Sequence, residues 1–230
     1  MAPSWEGGML LAPVRLGGLC ALVASAVGIV AFPAFVTFRP ETPPPLGLKG
    51  AELLQAFPAR HLLYWTALHA VNASLLFLCV PVVWAVHLVV RERGARLMDA
   101  GTPLGILALV GEGLARLWQA TVQADLVRAY NAGGPGASVL LDLADRLARY
   151  PDALHLASYL IGAWAVLLLV SVVQERSLPQ WLGWLALALV PGLGPAPFAL
   201  LVWLVPTAWL LLGSPLPAGA PLPTRRSPSP

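Results

Sequence analysis

Long apolar runs, broken by short polar or proline-rich segments, set the pattern of this chain. A helix that crosses a bilayer needs about 20 mostly apolar residues. The first run of that length is Leu16 to Phe38, interrupted only by Pro33. It exceeds the apolar core of a signal peptide, so Ala24-Ser25-Ala26 is not expected to be a cleavage site. A loop with Pro40 and Pro43 to Pro45 follows, and Ala51 to Phe57 predicts a short surface helix. The second long helix is expected over about Arg60 to Val90, with Pro58 near its first turn and tilt or a kink at Pro81. Arg91 to Arg96 ends it. The third spans about Pro103 to Tyr130, and Asn131-Ala132-Gly133-Gly134-Pro135-Gly136 breaks the chain.

Val139 to Tyr150 differs in kind. Leu140, Leu143, Leu147 and Tyr150 share one helical face, and Asp142 and Asp145 stand four residues before Arg146 and Arg149. The pattern predicts an amphipathic helix that lies on the membrane or covers the bundle. Pro151 separates it from a fourth spanning helix, about Asp152 to Val173. Three prolines in Pro191-Gly192-Leu193-Gly194-Pro195-Ala196-Pro197 exclude one continuous helix after Leu178. Two short crossings, Pro179 to Val190 and Pro197 to Leu212, are expected, with a re-entrant hairpin as the alternative. The expected fold is therefore all-α: an integral membrane bundle of about six transmembrane helices with one amphipathic surface helix. Residues 1–14 form an N-terminal segment, 15–213 the transmembrane domain, and 214–230 a disordered Pro- and Ser-rich tail.

Composition agrees. Of 230 residues, 58% are hydrophobic and 11% charged, against roughly 25% charged in a soluble domain. Mean hydropathy is +0.75 and the pI about 9.2. The Arg residues are scattered over loops and tail, with no basic surface interleaved with aromatics, so nucleic acid is excluded as a partner. Cys20 and Cys79 lie inside apolar runs without metal or redox spacing, which reads as packing.

The basic residues instead carry topology. With six crossings, Arg15, Arg91, Arg93, Arg96, Arg176, Arg225 and Arg226 fall on one side, mostly in short segments beside helix ends. Arg39, Lys49, Arg60, Arg128, Arg146 and Arg149 fall on the other, over longer loops. Both termini are therefore expected in the cytoplasm. Trp65, Trp84, Trp181 and Trp184 are expected as interfacial anchors.

Four short stretches carry a family resemblance. They are Arg15-Leu16-Gly17-Gly18-Leu19, Ala115-Arg116-Leu117-Trp118-Gln119-Ala120, Leu178-Pro179-Gln180-Trp181-Leu182-Gly183 and Trp209-Leu210-Leu211-Leu212-Gly213. Over roughly 15–213 the chain resembles small bacterial membrane proteins of the domain of unknown function 4386 family. The resemblance implies a six-helix bundle in the bacterial cytoplasmic (inner) membrane and no known activity. The very short fifth connection departs from that pattern.

The third long helix holds the candidate chemistry. Glu112, Arg116, Gln119 and Gln123 are spaced 4, 3 and 4, which on an α-helix gives one stripe. A charge facing lipid at the bilayer centre costs about 2.5–3.5 kcal/mol, so the stripe is expected to face the interior with Glu112 and Arg116 paired. The second helix adds Thr66, His69 and Asn72. At about 1.5 Å per residue, His69 and Gln123 share a depth, and Asn72 lies near that of Gln119. Tyr159 on the fourth helix joins them in one expected pocket open to the outside. No two histidines match in depth in the interior, which speaks against haem. His61, Asp152 and His155 gather near the outer surface as conceivable metal ligands. The expectation is nonetheless no metal, no cofactor and no catalytic residue, since no phosphate loop or nucleophile triad is present.

Three functions remain. A binding or transport-like protein for a small ligand or ion would need a polar cavity at the stripe. A structural or regulatory partner would consume the stripe in internal bonds as a clamp. A lipid-modifying enzyme would open laterally beside Glu112 or His69. An enzyme is the less expected class; membrane lipids are the expected partner.

Overall fold

The computed structural model describes residues 5–40, 48–92, 96–156, 159–175, 178–187, 189 and 196–213. Those residues contain helices and turns and no strand. Helix α1 (Trp5–Thr37) is almost entirely apolar from Leu16 on. It buries the small residues Gly17, Ala21, Ala24 and Gly28 and exposes Leu16, Leu19, Leu22 and Ile29. Lipid tails are as apolar as leucine, so membrane helices associate through close packing at small residues rather than through hydrophobicity. Gly17 shows the closeness required: a Cβ there would stand 2.2 Å from the Ala85 Cβ and 2.8 Å from the Pro81 carbonyl oxygen.

Those partners belong to α3 (Leu62–Glu92), which follows a 3-10 turn at Ala59–His61 and stays helical through Pro81. Helix α3 packs on α4 (Leu97–Trp118), and α4 packs on α8 (Tyr159–Glu175). Helix α8 meets α9 (Gln180–Leu187), and α10 (Ala196–Gly213) returns to α1. Trp164 of α8 and Trp203 of α10, both buried, meet edge to face at 5.5 Å in the centre. Around them lies an apolar core including Val82, Val86, Leu168 and Leu182.

Three helices are long and apolar enough to cross a membrane: Ala12–Thr37, Ala59–Arg91 and Leu97–Asn131. They coincide with the three expected first. Tyr159–Gln174 and Leu200–Gly213 are shorter apolar helices. Helix α9 is about 12 Å long at 1.5 Å per residue, well short of the ~30 Å hydrocarbon core. The described part of the expected fifth crossing is thus shorter than a span. The connection at 190–195, on which the choice between two crossings and a hairpin turns, lies outside the described residues, as does the 214–230 tail.

The expected fourth crossing is described on either side of residues 157 and 158, which lie outside the described residues. Helix α7 (Arg149–Leu156) and α8 flank residues 157 and 158. Pro151 sits in the first turn of α7 rather than between helices, a position where its missing N–H costs nothing.

A second, smaller core caps one end of the bundle. Helix α2 (Gly50–Ala56) and α6 (Ala137–Leu147) pack on each other and on α5 (Ala124–Asn131). Leu53, Leu54, Phe57, Val127 and Ala144 are buried between them. The amphipathic helix is thus a cover on the bundle, the second of the two expected placements. Asp142 pairs with Arg146 at 2.9 Å, four residues on as its spacing predicts. Asp145 does not behave the same way: its Oδ1 accepts the Ala51 backbone N–H at 2.7 Å. That N–H belongs to the first turn of α2, where a carboxylate is favoured. Gly50 permits the approach. Its φ is +52°, and a Cβ would fall 2.1 Å from the Asp145 Oδ1. Asn131 Nδ2 ties the end of α5 to the cap by donating to the Val127 and Phe57 carbonyls at 2.9 and 3.4 Å.

Candidate functional site

A polar layer separates the two apolar cores. Along α3 the order is Trp65, in the cap core, then His69 and Asn72, then Leu75, Leu76 and Cys79 in the bundle core. Along the third long helix Leu109 belongs to the bundle core, Glu112 to Gln123 are polar at the stripe positions, and Leu126 and Val127 return to the cap core. The layer is where neither apolar cluster closes on itself.

Within it, Arg116 is held on two sides. Its Nε and Nη2 donate to Glu112 Oε1 at 2.9 and 2.7 Å, and its Nη1 donates to Gln119 Oε1 at 3.3 Å. The expected Glu112–Arg116 pair is therefore formed, and Gln119 extends it. The pair is not sealed. The Arg116 side chain is 33% exposed and that of Glu112 14%.

The stripe is also not a plain α-helical one. Gln119–Gln123 form a π turn between α4 and α5. A π turn carries i→i+5 bonds and adds one residue to the turn, a feature frequent at functional sites. Thr121 helps to satisfy the widened backbone by donating its hydroxyl to the Leu117 carbonyl at 2.8 Å. The turn sets Gln123 in a phase that straight α periodicity does not give.

Arg116 faces two cavities, where one pocket was expected. The first, about 380 Å³, lies under the cap and is lined by Lys49, Trp65, His69, Arg116, Gln119 and Gln123 among others. The second, about 540 Å³, lies between α1, α3, α4 and α10 and holds Asn72 and Glu112 beside an apolar wall. Arg116 and Leu68 belong to both walls. Asn72 and Gln119, expected at one depth, line different cavities. Tyr159 joins neither: it is 66% exposed at the start of α8. Helical depth could not give its direction.

The first cavity offers unspent hydrogen bonding. Gln123 Oε1 and Trp65 Nε1 are buried on its wall and make no hydrogen bond with the described residues. A buried polar atom without a partner is uncommon and costly. Trp65, expected as an interfacial anchor, lies on this wall. It packs edge-on against Phe57 at 5.3 Å and His69 at 4.2 Å. Trp84, Trp181 and Trp184 are exposed, as anchors require.

Lys49, Trp118, Arg39 and Tyr64 complete the walls and were not foreseen. The first and third lie on loops, where periodicity carries no information. Among the described residues, no group of three or more His, Cys, Asp or Glu is placed to hold a metal. His61 Nε2 accepts from Arg60 Nε at 3.2 Å, while the side chains of Asp152 and His155 lie outside the described residues. No family profile, curated protein or solved structure matches the chain.

Proposed function

We propose that this is a multi-pass membrane protein that binds or passes a small ligand or ion in the polar cavity beneath the α2–α6 cap. One observation carries the reading. The stripe is not consumed in a closed clamp; Arg116, Gln119 and Gln123 line a cavity of about 380 Å³, within the 300–1,000 Å³ of small-molecule sites. An intramembrane charge is expensive, and one turned to a cavity is most often functional. The six-helix arrangement and bacterial inner-membrane location implied by the family resemblance fit this reading, with both termini cytoplasmic and the cap outside.

The test is access from the outside. With Cys20 and Cys79 replaced by Ala, Gln123→Cys should react in whole cells with a membrane-impermeant thiol reagent. Labelling that occurs only after unfolding would overturn the reading and leave the stripe as a packing clamp.

A further inference from the structure

Given that the polar cavity takes a ligand, as proposed above, we infer that the ligand is a single-chain amphiphile with an anionic head. Its carboxylate or phosphate sits beside Arg116 and Lys49, and its alkyl chain lies in the neighbouring apolar cavity.

Charge selects the head. Among the described residues, the titratable side chains on the wall of the cap cavity are Lys49, His69 and Arg116, and no carboxylate lines it. Glu112 approaches Arg116 from the other cavity. An anionic head accepts charge-assisted hydrogen bonds from guanidinium and ammonium, which a cationic head cannot do. Gln119 and Gln123 supply amide groups on the same wall.

The second cavity selects the tail. Phe32, Phe35, Leu75, Leu76, Leu200 and Leu204 line it, and its volume is about 540 Å³. Of its polar residues, Glu112 pairs with Arg116, while Arg39 follows the end of α1 and Tyr64 opens α3. A compact anion would fill only the first cavity. The shared wall of Arg116 and Leu68 places a cationic seat directly against an apolar chamber. That juxtaposition matches a molecule charged at one end and apolar over the rest.

Chain length is the discriminating variable. Each buried methylene is worth about fourfold in affinity from water, the equivalent of ~0.8 kcal/mol. Binding to the full chain in nanodiscs should be measured in excess of uptake by empty nanodiscs. The probes are dodecanoate, dodecyl phosphate, dodecyltrimethylammonium, butanoate and inorganic phosphate. The two anionic dodecyl probes should bind at least tenfold more tightly than the cationic one or the short anions. Lys49→Glu should weaken them at least tenfold. Ala31→Trp, which fills the second cavity from α1, should do the same, and Leu76→Trp fills it from α3 should the first variant fail to fold. If butanoate or phosphate binds as tightly as the dodecyl probes and neither Trp variant matters, the site takes a small anion and the amphiphile is excluded. If no probe binds while Gln123→Cys is labelled from outside, the amphiphile fails and the cavity reading survives. An unlabelled Gln123→Cys removes both.

Discussion

Arg116 determines the character of the polar layer because it is both paired and accessible. Two of its hydrogen bonds go to one Glu112 oxygen, yet a third of its side chain is open to the cavities. A fully buried pair loses about 3–5 kcal/mol when one partner is removed. Partial exposure reduces that toward the ~1–3 kcal/mol of a single buried group left unsatisfied. Arg116→Ala should therefore lower thermal stability in detergent by about that amount. The double replacement Glu112→Gln with Arg116→Met removes both charges and should melt closer to wild type while losing ligand binding. A double mutant that binds normally would show that the pair only packs. The pair itself was legible in the sequence, because i and i+4 on one helix must meet. That Arg116 also faces two chambers was not, since both chambers are completed by residues from other helices.

At the scale of elements, the π turn at Gln119–Gln123 couples the site to its cover. It sits where α4 of the bundle passes into α5 of the cap. One residue of an α-helix turns the chain by about 100°. Inserting one Ala after Thr121, beyond the single extra residue that the π turn absorbs, should rotate Gln123, Val127 and Asn131 by about 100° relative to α4. Val127 would leave the cap core, and Asn131 would lose its bond to the Phe57 carbonyl. The expected outcome is faster amide hydrogen exchange across α2 and α6 with the exchange of α8 unchanged. Unaltered exchange in the cap would mean that the phase of α5 does not hold it. Spacing alone could not reveal the π turn, because its cause is where the two ends of the helix must pack.

For the whole molecule, the exposed faces of α1, α3 and α4 are apolar, with Leu16, Ile29, Leu63, Trp84 and Leu107 among the exposed side chains. Water does not tolerate contiguous apolar surface on this scale, whereas a bilayer requires it. The short segment Arg91 to Arg96 favours the cytoplasm for the end opposite the cap. At that end Asp99 Oδ1 stands 3.4 Å from Arg91 Nε and 3.7 Å from His87 Nε2, joining α3 to α4. Reporter fusions after residue 95 and after residue 137 should report opposite sides, the first cytoplasmic. Matching reports from both would show that Leu97–Asn131 does not cross.

The order of apolar and polar positions was enough for an all-helical fold, for three helices long and apolar enough to cross a membrane, for one of the two placements expected of the amphipathic helix, and for the Glu112–Arg116 pair. Each of these depends on distances within one segment, which helical geometry dictates. Tertiary structure decided what lies between segments. It turned Tyr159 away from the site and Trp65 into it, and brought Lys49 from a loop to the cavity wall. It sent Asp145 to the α2 backbone rather than to Arg149. It also divided one expected pocket into two that meet at Arg116. The physical reason is that residue spacing specifies phase and depth along a helix, while the rotation of each helix toward its neighbours follows from packing. In this chain that packing rests on close approaches such as Gly17 against Pro81 and Gly50 against Asp145.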